Sequence, residues 1–228
     1  MRHMNSSFRI SVIIAAAVIG GVAAGRAQDA SVDKLIKKLP RPEAIVKTDP
    51  ASRDPLVKQI VDAAKAMNLG TAYALSQKLA ARYPKSAGAQ FLYGQLALGL
   101  RRFPEASGAF HKALAIQPNF ALAYLGLGMS EAAQNHLGAA MSNYQQLTRL
   151  YPKADIGWIA LSACAEKLGH KRESLDYARQ ATNAAPASAG AWFQLSREEG
   201  ISGNQQAASK ALARANDLRR KAPKANQR

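Results

Sequence analysis

The 228-residue chain has a single cysteine, Cys164. That excludes an intrachain disulfide framework and any zinc or iron–sulfur site built from several cysteines. Acidic residues are scarce too, 15 against 31 Lys and Arg, for a formal charge of +16. This balance points to an anionic partner or surface without choosing one. Aromatics make up only 7%, which together with frequent alanine and leucine favours close-packed helices over a β-sandwich. No two-residue alternation of apolar and polar side chains is sustained, so strands are set aside. What remains, 48% hydrophobic and 20% charged, is the composition of a globular protein rather than a disordered chain or a multispan membrane protein.

The N-terminal residues read as an export signal. Arg2 and Arg9 precede residues 10–24, an apolar stretch of 15. Gly25 and Ala27 then flank Arg26 as a small-x-small triplet before the polar Gln28 and Asp29. A basic start, a short apolar centre and a small-residue end predict a secretory signal peptide over 1–27, cleaved after Ala27. The alternative, an uncleaved anchor, is disfavoured because the stretch falls short of the ~20 residues needed to span a bilayer. No cysteine follows it to carry a lipid. Cleavage removes Arg2, Arg9 and Arg26 and no acid, so the mature chain stays strongly basic. The expected location is periplasmic or secreted, where ATP and genomic DNA are absent.

The chain also repeats itself. Pro84, Pro118, Pro152 and Pro186 are each 34 residues apart. Tyr124, Trp158 and Trp192 share one phase, and Tyr93, Leu127, Leu161 and Leu195 another. Gly94, Gly128, Ser162 and Ser196 form a small-residue column, and Ala72, Ala106, Ala140, Ser174 and Ala208 a second. Phe110 and Tyr144 lie four residues beyond two members of that second column. Small residues let two helices approach, bulky ones a turn away fill the gap, and proline ends the second helix. These columns predict a pair of antiparallel helices per repeat.

Residues 92–119 and 123–153 resemble tetratricopeptide repeats. Tyr124, Leu127, Gly128, Ala140, Tyr144 and Pro152 stand at the family's offsets, as do Gly94, Ala97, Ala106, Phe110, Ala113 and Pro118. Five units follow, at 53–86, 87–120, 121–154, 155–188 and 189–220. The first departs most, with Ile60 where glycine is usual and Ser76 where an aromatic is usual, and the last lacks its proline. Atypical end repeats are expected, because they face water on one side. The resemblance implies an all-α, right-handed α-solenoid of about five 34-residue helix-turn-helix repeats. Residues 28–52 read as a linker. It has a short amphipathic helix at 31–39 and an extended stretch, set by Pro40, Pro42 and Pro50, running to Ala51. Residues 221–228 read as a basic tail.

Catalytic patterns are sparse. His111, His136 and His170 belong to no metal-ligand spacing, and His136 and His170 fall in inter-helix turns. Gly128, Met129 and Ser130 begin like a nucleophile elbow, but Ala132 stands at its last glycine and no strand precedes it. Cys164 in a first helix reads as a small buried apolar group. The glycines form no phosphate-cradling loop. The expectation is therefore a chain without catalytic residues, metal or cofactor. The basic pairs Arg101 and Arg102, and Lys171 and Arg172, lie in turns without interleaved aromatics, so no nucleic acid is expected. Weak contact with an anionic envelope surface is.

The resemblance places a partner-binding groove on the first helices, one and five residues after the aromatic column. On this sequence those positions are Val57 and Val61, Phe91 and Gln95, Leu125 and Met129, Ile159 and Ala163, and Phe193 and Arg197, bordered by Leu122 and Ile156. Family members that clamp a carboxylate use Lys, Arg and Asn there, whereas these side chains are mostly apolar. The expected occupant is an amphipathic helix or extended apolar segment of another protein, or else the chain's own 31–39 helix. The expected function is an exported scaffold or adaptor in envelope assembly or secretion. The alternatives are an adaptor held to anionic polymer or lipid by its basic face, and a non-catalytic accessory of an enzyme complex.

Overall fold

The computed structural model describes residues 49–221. The expected signal peptide with its Ala27 cleavage point, the 31–39 helix and residues 222–228 of the basic tail lie outside the described residues. Among the described residues a 3-10 helix, Pro50–Arg53, precedes ten α-helices. They are α1 (Pro55–Lys65), α2 (Leu69–Arg82), α3 (Ala87–Gly99), α4 (Phe103–Ile116), α5 (Ala121–Ala133), α6 (Leu137–Leu150), α7 (Asp155–Lys167), α8 (Lys171–Ala184), α9 (Ala189–Ile201) and α10 (Gln205–Lys221). There is no strand among the described residues. The fold is all-α, a solenoid-class array of helix-turn-helix repeats. No described helix is long and apolar enough to cross a membrane. The residues form two compact units, one ending at Asn135 and the other starting at His136.

The helix ends follow local chemistry. Tyr83, Gln117, Tyr151 and Ala185 cap the C-termini of α2, α4, α6 and α8 with extended or intermediate backbone. Each is the residue before a repeat proline, whose ring disfavours helical backbone there. The turns inside the repeats share a left-handed residue: Met67 (φ 57°), Arg101 (φ 60°), Asn135 (φ 63°), Gly169 (φ 77°) and Gly203 (φ 84°). All five are 34 residues apart. After four of them the next N–H closes onto a carbonyl five residues back. These bonds are Asn68 to Ala63 at 2.9 Å, Arg102 to Ala97 at 2.9 Å, His170 to Ala165 at 2.9 Å and Asn204 to Glu199 at 2.8 Å. This is the helix-ending geometry that glycine normally serves.

In the first unit, Ile60, Leu79, Leu96, Phe110 and Leu127 are fully buried around Ala72, Ala97, Ala106 and Ala113. The Phe110 ring fits because glycine stands opposite it: a Cβ on Gly94 would lie 2.9 Å from the ring, and one on Gly126 2.4 Å. In the first repeat the sizes are exchanged, with Ile60 on α1 and Ser76 on α2 both fully buried. Pro50 begins a 3-10 turn instead of the extended stretch the prolines suggest. The Asp49 carboxylate accepts from Ala51 N at 3.0 Å, from Gly88 N at 2.9 Å and from the Ser86 hydroxyl, fixing that turn at the start of α3.

In the second unit the core is Leu147, Leu161, Ala165, Ala178, Ala181 and Ala191. Ser188 caps α9 by accepting from Ala191 N at 3.2 Å while donating its hydroxyl to Asp155 at the start of α7. The two tryptophans hold the turns before their own helices. Trp158 Nε1 donates to the Pro152 carbonyl at 3.2 Å, and Trp192 Nε1 to the Pro186 carbonyl at 2.8 Å. The aromatic and proline columns are thus coupled by a hydrogen bond.

Candidate partner-binding face

The expected groove residues are carried on α1, α3 and α5 of the first unit and on α7 and α9 of the second. In the first unit Val61, Phe91, Gln95 and Leu125 are buried, and Val57, Leu122 and Met129 half-buried. Phe91 is a core anchor as much as a surface one. Its ring packs at 4.6 Å between centroids against Phe120 and 5.9 Å against Phe110, both tilted, geometries that favour aromatic pairs. Val61 and Phe91 belong to the core cluster, and Val57, Leu122 and Met129 pack against it. Gln95, one helical turn after Phe91 on α3, is 8% exposed and its Oε1 has no hydrogen-bond partner.

In the second unit Ile156, Ile159 and Ala163 on α7 are half-buried, while Phe193 on α9 is 51% exposed. Arg197, one turn after Phe193, gives its guanidinium to Glu166 Oε1 at 2.6 Å. The second unit therefore carries partly exposed apolar side chains, Ile156 and Ile159 on α7 and Phe193 on α9, and the Arg197–Glu166 ion pair joins the same two helices.

Sequence reasoning did not anticipate two polar clusters. In the first unit, the Tyr73 and Tyr93 hydroxyls both donate to Glu105 Oε2, Tyr93 at 3.0 Å. Arg102 donates to Glu105 Oε1 at 3.2 Å and lies 4.7 Å over the Tyr73 ring. The Tyr73 bond, with Tyr93 and Arg102, lowers the Glu105 carboxyl below its ordinary value, while burial raises the Tyr93 phenol. This cluster ties α2, α3 and α4 together.

In the second unit Glu198 is 1% exposed. It accepts from Ser174 Oγ at 2.5 Å and from Gln194 Nε2 at 2.8 Å, and Gln194 also reaches Ser162 Oγ at 3.0 Å. Burial raises the Glu198 carboxyl, opposed by the Ser174 bond and assisted by the Glu166 charge. The readable signal was the size of neighbouring columns. Two repeats after Gly94, Phe110 and Gly126 stand Ser162, Ala178 and Gln194. Small residues replace the aromatic, and a polar side chain replaces the glycine beside it.

Among the described residues no cluster of three or more His, Cys, Asp or Glu could hold a metal ion. His136 and His170 stand at the N-termini of α6 and α8, and His170 lies 3.5 Å from Glu173. Cys164 is buried, and burial raises its thiol, the reverse of what an activated nucleophile requires. On α10, Arg214, Arg220 and Lys221 gather around Asp217, the lysine at 2.9 Å.

No protein-family model matches the chain. Over 96 residues it is 35% identical to anaphase-promoting complex subunit 6 of Arabidopsis thaliana, covering 41% of this chain but only 18% of that subunit. Among solved structures it is similar to MamA, with a TM-score of 0.65 at 15% identity over 74% of this chain and 96% of that one. It is also similar to YrrB, described as a TPR protein with an unusual peptide-binding site, with a TM-score of 0.57 at 17% identity over 80% of this chain and 94% of that one. At such identities the structural likeness is one of fold. The 34-residue columns, the helix pairs they form and these likenesses give the chain the tetratricopeptide-repeat fold.

Proposed function

We propose that this chain is a non-catalytic adaptor that binds a protein partner through the apolar side chains of its first helices. Its repeat fold supports protein binding in general. The observation that carries the finer reading is the set of partly exposed apolar side chains Ile156, Ile159 and Phe193, because Phe193 is a large aromatic left half in water and exposed aromatics anchor interfaces. An apolar segment of the partner would cover it. YrrB, of the same fold, has a peptide-binding site by its description. The basic N-terminal start and apolar stretch of residues 1–27 support export, so the adaptor would work in the periplasm or outside the cell, in envelope assembly or secretion.

A second reading rests on the +16 charge: attachment to anionic lipid or polymer by the basic surface. Salt separates the two, because exposed charge attraction is screened within a Debye length of about 8 Å at physiological ionic strength, while apolar burial is not. The test is affinity capture from an envelope extract at low and physiological salt, comparing the unaltered protein with Ile159→Glu, Phe193→Glu. Capture that survives salt and is lost in the variant is the expected result. Capture that ignores the substitutions and vanishes with salt would replace the apolar reading with the electrostatic one.

A further inference from the structure

The buried column of Leu96, Ser130 and Cys164 continues in the last repeat with Glu198, which is 1% exposed. A buried carboxylate with no cation of its own is costly. Arg197, the cation whose charge reaches it, gives its guanidinium to Glu166 at 2.6 Å. Arg179 on α8 is taken by the neighbouring Glu199 at 3.1 Å. The protons around Glu198 can be counted. Oε1 accepts from Gln194 Nε2 at 2.8 Å. Oε2 lies 2.5 Å from Ser174 Oγ, and the same hydroxyl lies 3.0 Å from the Ser162 carbonyl. A hydroxyl has one proton to give, and a carbonyl only accepts. With Glu198 ionised, Ser174 serves either the carboxylate or the carbonyl. With a proton on Oε2, Glu198 donates to Ser174, Ser174 donates to Ser162, and both contacts are hydrogen bonds at once.

We propose that Glu198 is a proton-held latch of the last repeat: with its proton on Oε2 it ties α9 to α7 and α8, and giving that proton up releases α9 and α10 together. The hydrogen-bond chain crosses three helices, with Ser162 on α7, Ser174 on α8, and Gln194 and Glu198 on α9. α10 goes with α9, on which it packs, and Ser196 Oγ of α9 donates to the Ala208 carbonyl at 2.9 Å. Among the described residues the charged groups that reach Glu198 are Glu166 from α7 and Arg197 from its own helix. α8 presents the Ser174 hydroxyl, and the buried residues of α10 are Ala208, Ala211 and Ala215. Burial, then the Glu166 charge, favour the protonated form. Ionisation turns the Ser174 proton to the carboxylate, breaks its bond to Ser162 and sets two like charges together. A fully satisfied buried network stiffens a fold, and a partly satisfied one loosens it.

Hydrogen exchange of the full chain, followed by mass spectrometry and corrected for the intrinsic pH dependence of exchange, reads this opening. Above the ordinary carboxylate value of 4.5 the open repeat has lost the proton that the closed repeat keeps. Protection of α9 and α10 is therefore expected to fall about tenfold per pH unit and to level off once the closed form also ionises. Protection of α1–α4 is expected to show no such fall. Glu198→Gln, whose amide donates to Ser174 and does not ionise, is expected to keep α9 and α10 level over the same range. Should it fail to fold, Glu198→Leu, the side chain that Leu96 places in this column, replaces it. The infrared C=O band of a neutral carboxylic acid, present in the unaltered protein above the ordinary carboxylate range and missing from the variant, is the second expected result. Level protection in the unaltered protein, or an equal fall in the variant, overturns the latch. A fall shared by α1–α4 makes the event unfolding of the whole chain and overturns it as a device of the last repeat. Absence of the neutral-acid band overturns the proton on Oε2.

Discussion

Phe110 and Gly126 are complementary across the repeat boundary: the ring tip of the phenylalanine occupies the place where a Cβ at 126 would stand, 2.4 Å away. Phe110 is completely buried and its side chain contributes of the order of 1.5–3 kcal/mol by burial. Gly126→Ala therefore overpacks the α4–α5 contact and is expected to destabilise by about 1–3 kcal/mol in denaturant unfolding. Phe110→Leu in the same chain should recover part of that loss, so a double-mutant cycle would show coupling between the two sites. Additive effects would mean the contact does not govern the packing.

The left-handed turn column makes a prediction of opposite sign. Arg101 and Met67 take a backbone conformation that glycine adopts freely, and a side chain there costs about 1–2 kcal/mol. Arg101 also stacks its guanidinium 5.7 Å from the Phe103 ring, so part of that cost is offset. Met67 is 69% exposed with little to offset it. Met67→Gly is expected to raise the melting temperature, and Gly169→Ala to lower it. Thermal unfolding of both variants checks the pair.

These two features divide what was legible in the residues from what was not. Helix pairs, the proline stops and the Gly94–Phe110 fit follow from columns that repeat with the same residue type. The turn column does not keep its type: Met, Arg, Asn, Gly and Gly share one backbone geometry, so only position, not identity, marks it. Gly126 falls outside the small-residue columns because its neighbours in phase are Leu92, Ala160 and Gln194. It answers to Phe110 of the previous repeat rather than to its own. On the candidate face, the sequence named the side chains without their depth. Phe91 sinks into the aromatic core and Leu125 is buried, while Phe193 stays half in water.

Glu198 gives the second unit an unusual pH response. Burial raises its carboxyl in the folded state, so the folded chain holds that proton more tightly than the unfolded chain. Its contribution is greatest below the ordinary carboxylate value of 4.5 and declines as pH rises toward the folded value. The groups facing it are Ser174, Gln194, Glu166 and Arg197; Glu166 is the acid that would repel its charge. Glu198→Gln is expected to remove this decline and to raise the melting temperature at neutral pH relative to mildly acidic pH. Identical pH profiles for the two proteins would contradict it.

Asp54 works in the other direction. Its carboxylate accepts from Leu56 N at 2.8 Å and pairs with Arg82 at 2.6 Å, and the Leu56 bond, then Arg82, lower it. Its contribution is present above its unfolded value and is lost as pH falls through its lower folded value. Asp54→Ala removes the cap of α1 and is expected to cost about 1–2 kcal/mol at neutral pH, and less in strong acid. Equal losses at both pH values would separate the cap from the charge.

Site-specific photo-crosslinking in the cell shows whether the apolar side chains of the second unit meet a protein partner. A photoreactive phenylalanine analogue would replace Phe193 on α9 or, as control, exposed Lys210 on α10. A polypeptide adduct is expected from position 193, none from 210, and the same adduct when lysates are irradiated at low and physiological salt. Adducts from 210 alone, disappearing as salt is raised, would contradict it and make the basic surface the part of this chain that meets its partner.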